Sequence, residues 1–104
     1  MNRDKRQRLE AAGWKVGSAQ DFLELPPEEA QFIEIRARLA VALAALRAKR
    51  KLTQAQLAER IESSQSRVAK MEAADGSVSL DLLIRSLLAL GATRKELATA
   101  IAGK

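Results

Sequence analysis

One stretch, Leu52 to Glu72, constrains the fold more than any other part of the chain. Thr53 followed three residues later by Gln56 is a capping box, so a helix should start there. Leu57, Ala58 and Ile61 then fall on one face of it. Ser64 is positioned to cap a second helix, in which Val68 and Met71 face inward and Gln65, Ser66, Ala69 and Lys70 face outward. Two short amphipathic helices joined by a tight turn cannot bury their apolar faces alone. The pattern therefore predicts a helix-turn-helix packed on further helices, an arrangement that can place its second helix in the major groove of DNA.

The flanking sequence supplies those further helices. Pro27 suits the first position of a long helix running to about Lys51, with Glu28 and Glu29 at its positive end. Phe32, Ile35, Leu39, Leu43 and Leu46 form its apolar stripe, and Ala37, Ala40, Ala44, Ala45 and Ala48 beside the stripe allow close helix approach. After Glu72, Ala74-Asp75-Gly76 breaks the recognition helix. Ser79 caps a fourth helix carrying Leu80, Leu83, Ile84, Leu87 and Leu88, and Gly91 ends it. Thr93 with Glu96 is another capping box and opens a last helix with Leu97 and Ile101. No segment alternates as a strand would. The expectation is an all-α, five-helix domain over residues 27–104 with an elongated first helix. Residues 1–26 form an N-terminal extension, mobile at its start, with a short helix after Ser18 that carries Phe22, Leu23 and Leu25.

Charge is unevenly placed. Asp21 to Glu34 holds five acids and no base, whereas Arg47 to Lys70 holds seven bases and two acids. The basic block coincides with the two-helix motif, which favours phosphate contact over a merely solvated face. The net charge of +5 agrees with a polyanionic partner. Histidine and cysteine are both absent. The commonest general base, the commonest metal ligands and any disulfide are thereby excluded, and no cofactor or metal is expected. Glu28, Glu29 and Asp81 show no pairing signature for hydrolysis. Aromatic residues are only 3% of the chain, too few for a reader of single-stranded RNA by stacking. No apolar run approaches a membrane span and no signal peptide is visible, so a cytoplasmic protein is expected.

Leu46-Arg47, Leu52-Thr53-Gln54, Leu57-Ala58, Ser64-Gln65-Ser66-Arg67-Val68 and Glu72 together resemble the XRE family, the Cro and phage-repressor type of helix-turn-helix, over about Leu39 to Ile101. Trp14-Lys15-Val16-Gly17 and Asp21-Phe22-Leu23 resemble regulators of the HigA-antitoxin type. The resemblance implies that Gln54 bonds a backbone phosphate and sets register. It implies that Gln65 reads a base edge, best adenine, and that Ser66 and Lys70 reach neighbouring bases or phosphates, with Lys70 favouring guanine. Arg67 would contact phosphate, and Ser64 would cap the helix while lying at the DNA. An ion pair between Arg47 and Glu72 would fix the recognition helix against the long helix. Leu87, Leu90, Leu97 and Ile101 would form a dimer face, unless they simply close the monomer core. The family usually has glycine where Glu62 stands, so Glu62 implies either a modest strain cost or a slightly different turn.

The resulting expectation is a homodimeric repressor on a palindromic double-stranded operator, with no reaction catalysed. The alternative is an antitoxin that holds a basic toxin through its N-terminal segment, using Trp14, Phe22, Leu23 and the acidic Asp21–Glu34 region, and autoregulates its operon.

Overall fold

The computed structural model describes residues 25–103. The expected short helix after Ser18, with Trp14, Asp21, Phe22 and Leu23, lies outside the described residues. Within them the chain forms five helices and no strand: α1 (Pro27–Lys49), α2 (Gln54–Arg60), α3 (Gln65–Glu72), α4 (Leu80–Ala89) and α5 (Arg94–Ala102). None is long and apolar enough to cross a membrane.

Internal contacts divide the chain into a unit ending at Glu34 and a larger one beginning at Ile35. The described part of the first unit is the opening of α1. The Pro26 carbonyl accepts the N–H groups of Glu29 and Ala30, so Pro27 occupies the first turn, where its missing N–H costs nothing. Phe32, read as the start of the apolar stripe, is 38% exposed, and Ile33 beside it is 37% exposed.

The larger unit holds the core. Leu39 and Leu43 of α1 are fully buried against Leu57 of α2 and against Val68 and Met71 of α3. Leu83, Leu87 and Leu90 close the opposite side, with Val78 from the loop before α4. On α1 the close approach expected of the alanines occurs at Ala40, which is 1% exposed, whereas Ala37, Ala45 and Ala48 face solvent. The buried face of α4 runs Leu83, Ser86, Leu87, Leu90 at helical spacing, which takes the Ser86 hydroxyl into the core. That hydroxyl has no hydrogen-bond partner among the described residues. Helix α5 buries no residue completely and packs on the core through half-buried Leu97 and Ala100.

Four helices end in the same motif. At the close of α1, the Leu52 N–H reaches the Arg47 carbonyl at 3.1 Å and the Lys51 N–H reaches the Ala48 carbonyl at 2.9 Å. The paired bonds recur at α2 (Ser63 to Ala58, Glu62 to Glu59), at α3 (Asp75 to Lys70, Ala74 to Met71) and at α4 (Ala92 to Leu87, Gly91 to Leu88). This is the Schellman arrangement, which requires a left-handed residue after the cap. Only α4 supplies a glycine, Gly91 at φ 93°; the other three use Lys51 at 59°, Glu62 at 54° and Ala74 at 57°. Of the two alternatives for Glu62, the backbone adopts the strained one and keeps the turn geometry. The break after α3 likewise pivots on Ala74 rather than on Gly76.

Candidate nucleic-acid interface

Helices α2 and α3 pack on each other and meet at the Glu62–Ser64 turn. Both starts are fixed by side chains. The Thr53 hydroxyl accepts the Gln56 N–H at 3.1 Å while the Gln56 side chain accepts the Thr53 N–H at 2.8 Å. The Ser64 hydroxyl accepts the Arg67 N–H at 3.1 Å. With Val68 and Met71 buried, Gln65, Ser66, Arg67, Ala69 and Lys70 are all exposed on α3. The outer surface of this helix thus combines amide, hydroxyl, methyl and two cationic groups on a rigid element.

The far end of α3 is clamped to α1. Arg47 Nε donates to Glu72 Oε2 at 2.6 Å and Nη2 donates to Oε1 at 3.0 Å, a two-pronged pair. Arg47 Nη1 donates to the Leu52 carbonyl at 2.8 Å, which ties the α1–α2 turn into the same knot. The side chains are 20% and 9% exposed. Burial pushes the Glu72 carboxyl upward, but hydrogen bonds from Arg47 and Gln54 and the Arg47 charge outweigh it and hold the group below its usual range. The hydrogen bond to Glu72 raises Arg47 further above its ordinary value against the opposing effect of burial. Gln54 Nε2 donates to Glu72 Oε1 at 3.1 Å, so one amide hydrogen of Gln54 is already engaged within the domain. The second hydrogen and the amide oxygen remain for other partners.

Beside α3 lies an open groove of about 490 Å³, lined by Ser64, Ser66, Arg67, Lys70, Ser77, Val78 and Ser79. Ser77 and Ser79 line this groove without a signal in the sequence that would place them there. Ser79 registers in the sequence only as a helix cap, a role it does fill through the Leu82 N–H at 3.1 Å, and Ser77 carries no periodic signal. The loop that presents them is held by Asp75, whose Oδ1 accepts the Ser77 N–H at 2.8 Å. Hydrogen bonds from Ser77, aided by the Lys70 and Arg36 charges, keep the Asp75 carboxyl below its usual range. The Arg36 guanidinium sits close to Gly76 in the same loop.

The four residues read as a dimer face separate into two kinds. Leu87 and Leu90 are 2% and 4% exposed and belong to the core of one chain. Leu97 is half-buried and Ile101 is 41% exposed. Among the described residues no three acidic side chains come together as a metal site.

A family model described as "Helix-turn-helix domain" matches residues 38–100, more than half of the chain. The chain belongs to this helix-turn-helix family. The match runs from the second half of α1 into α5 and takes in the whole α2–turn–α3 unit. Membership marks the domain as one for DNA binding and transcription regulation. No curated protein and no solved structure matches the chain.

Proposed function

We propose that the protein is an XRE-type transcriptional repressor that binds a palindromic double-stranded DNA operator as a homodimer, with α3 (about residues 65–73) in the major groove. The observation that carries this reading is the outer surface of α3, where Gln65, Ser66, Arg67 and Lys70 stand exposed beside a serine- and base-lined groove. Gln65 reads a base edge, with adenine its best two-pronged partner; Ser66 and Lys70 reach neighbouring bases. Arg67 takes phosphate, and Ser64 sits at the DNA while capping the helix. Gln54 uses its remaining amide hydrogen on a backbone phosphate, and Ser77 and Ser79 follow the backbone on the other side of the groove. The Arg47–Glu72 pair holds the two helices at the angle these contacts need. Two copies would set their recognition helices about 34 Å apart, joined through the α5 surface around Leu97 and Ile101.

A gel shift on the protein's own promoter region, at two salt concentrations with excess nonspecific DNA, tests this. A shift that survives competitor and gives two-fold symmetric protection supports the repressor. A shift lost with modest salt removes the specific-operator reading.

One observation favours a second reading, an antitoxin that autoregulates its operon. Phe32 and Ile33 are partly exposed in the opening turns of α1, next to the acidic Glu28 and Glu29. An apolar patch rimmed with acid suits a basic protein partner. Co-purification with a small basic protein encoded next to this chain would support it; a free dimer in the presence of that protein would end it.

A further inference from the structure

A second group of basic residues lies outside α3 itself. Lys49 ends α1 and Arg50 follows it in the turn, and Arg94 and Lys95 open α5, forty-odd residues later in the chain. The fold brings the two pairs together. The Arg50 guanidinium lies against Gly91 in the α4–α5 turn, with its Nη2 about 3.1 Å from where a Cβ would stand. Glu96, one position beyond Lys95, lies within the field of Lys49 and Arg50. All four basic side chains are exposed, and none makes an ion pair among the described residues.

The domain gains little from this grouping. Arg94 and Lys95 occupy the positive end of a helix, where cations are unfavourable. Glu96, which feels the Lys49 and Arg50 charges, is engaged in the capping box, its side chain accepting the Thr93 N–H at 2.8 Å. Four like charges that form no ion pair among the described residues suit an external anion. None of the four residues is itself an apolar anchor, and the exposed large hydrophobic residues nearest to them along the chain are Leu88 in α4 and Ile101 at the far end of α5. A protein interface needs such anchors and is poor in lysine. A phosphate backbone needs only the charges. Lys49 and Arg50 are also separated from Gln54, the proposed phosphate contact, by a single turn of chain.

We propose that Lys49, Arg50, Arg94 and Lys95 form a sequence-independent contact with the DNA backbone outside the segment read by α3, lengthening the footprint. This rests on the DNA-binding reading above. It does not require a known operator, because the contact acts on any duplex.

The test compares wild type with the R94Q/K95Q variant, both as full chains, by fluorescence anisotropy on random-sequence duplexes of about 15 and about 30 base pairs over a series of salt concentrations. The two substitutions remove charge from the unfavourable end of α5 and should leave the melting temperature level or slightly higher. Wild type should prefer the longer duplex. The variant should lose that preference, and the slope of log affinity against log salt should flatten by about 1.8 on the longer duplex, two phosphate contacts at about 0.9 each. If wild type and variant share slope and length preference, the patch does not touch DNA and the inference falls while the DNA-binding reading stands. If wild type binds neither duplex even at low salt, both fall. A K49Q/R50Q variant that flattens the slope by the same amount would tie both halves of the patch to one contact.

Discussion

Single residues carry most of the precision in this domain. Glu72 receives three hydrogen bonds from Arg47 and Gln54, and this convergence joins α1, α2 and α3 at one carboxylate, while Arg47 also holds the α1–α2 turn through the Leu52 carbonyl. Replacing Glu72 by Gln should destabilise the fold by roughly 2–3 kcal/mol, less than the ~3–5 kcal/mol of a fully buried pair because Arg47 keeps some water contact. A thermal melt checks this, and an unchanged midpoint would show that the pair contributes nothing net. The pH dependence has a definite sign. The folded carboxyl titrates below its unfolded value, so its contribution is complete above about pH 4.3 and is lost as pH falls through that range toward the folded value. Wild type should therefore lose stability on acidification more steeply than E72Q. Ser86 acts in the opposite direction: its buried hydroxyl without a described partner predicts that Ser86→Ala stabilises the protein by about 1 kcal/mol, measurable in urea. At the proposed DNA surface, Gln65→Ala should cost about 1–3 kcal/mol on a selected operator and relax choice at one base pair; an equal loss on random DNA would remove the base-reading role.

At the level of elements, the starts and ends of the helices differ in how well their residues suit them. Thr53, Ser64, Ser79 and Thr93 all serve as N-caps with hydroxyls bonded to the backbone. Each should cost about 1 kcal/mol on change to Ala. The C-termini are less optimal. Three of the four Schellman turns place a residue with a Cβ in the left-handed region, where it costs roughly 1–2 kcal/mol. Glycine relieves that cost but makes the unfolded chain more flexible by about 0.5–1 kcal/mol. Ala74→Gly and Glu62→Gly should therefore each stabilise by about 0.5–1 kcal/mol, and calorimetry of the single and double variants checks both the sign and the additivity. Destabilisation by Glu62→Gly would mean that the Glu62 side chain makes a compensating contact in solution.

For the whole molecule, the distribution of apolar surface separates what holds one chain together from what is left to join two. Leu87 and Leu90 are covered within the monomer, whereas Ile101 is open to solvent. Leu87→Ala should cost about 2–5 kcal/mol of folding stability at any protein concentration. Ile101→Glu should leave the melt of the dilute protein nearly unchanged and, if the proposed dimer uses α5, shift sedimentation toward the monomer. A variant that unfolds at Ile101, or a wild type that sediments as monomer at all concentrations, would remove α5 from the dimer.

The elements themselves were legible in the chain because their signals are local. Hydroxyl caps with Gln56 or Glu96 at the third position, a proline at a helix start and apolar residues at three- and four-residue steps depend on near neighbours alone, and they were enough to place five helices and the helix-turn-helix. Several features depended on where those helices pack. Periodicity cannot tell that Phe32 is partly exposed while Leu39 is buried, or that Leu87 and Leu90 are closed off while Ile101 is not, because burial is set by what stands opposite. The left-handed turns at Lys51, Glu62 and Ala74 likewise have no glycine to announce them; the tertiary packing of consecutive helices imposes them. The meeting of Arg50 with Gly91, and of Ser77 with α3, joins residues whose separation along the chain hides them from any local pattern, and only the folded backbone brings them together.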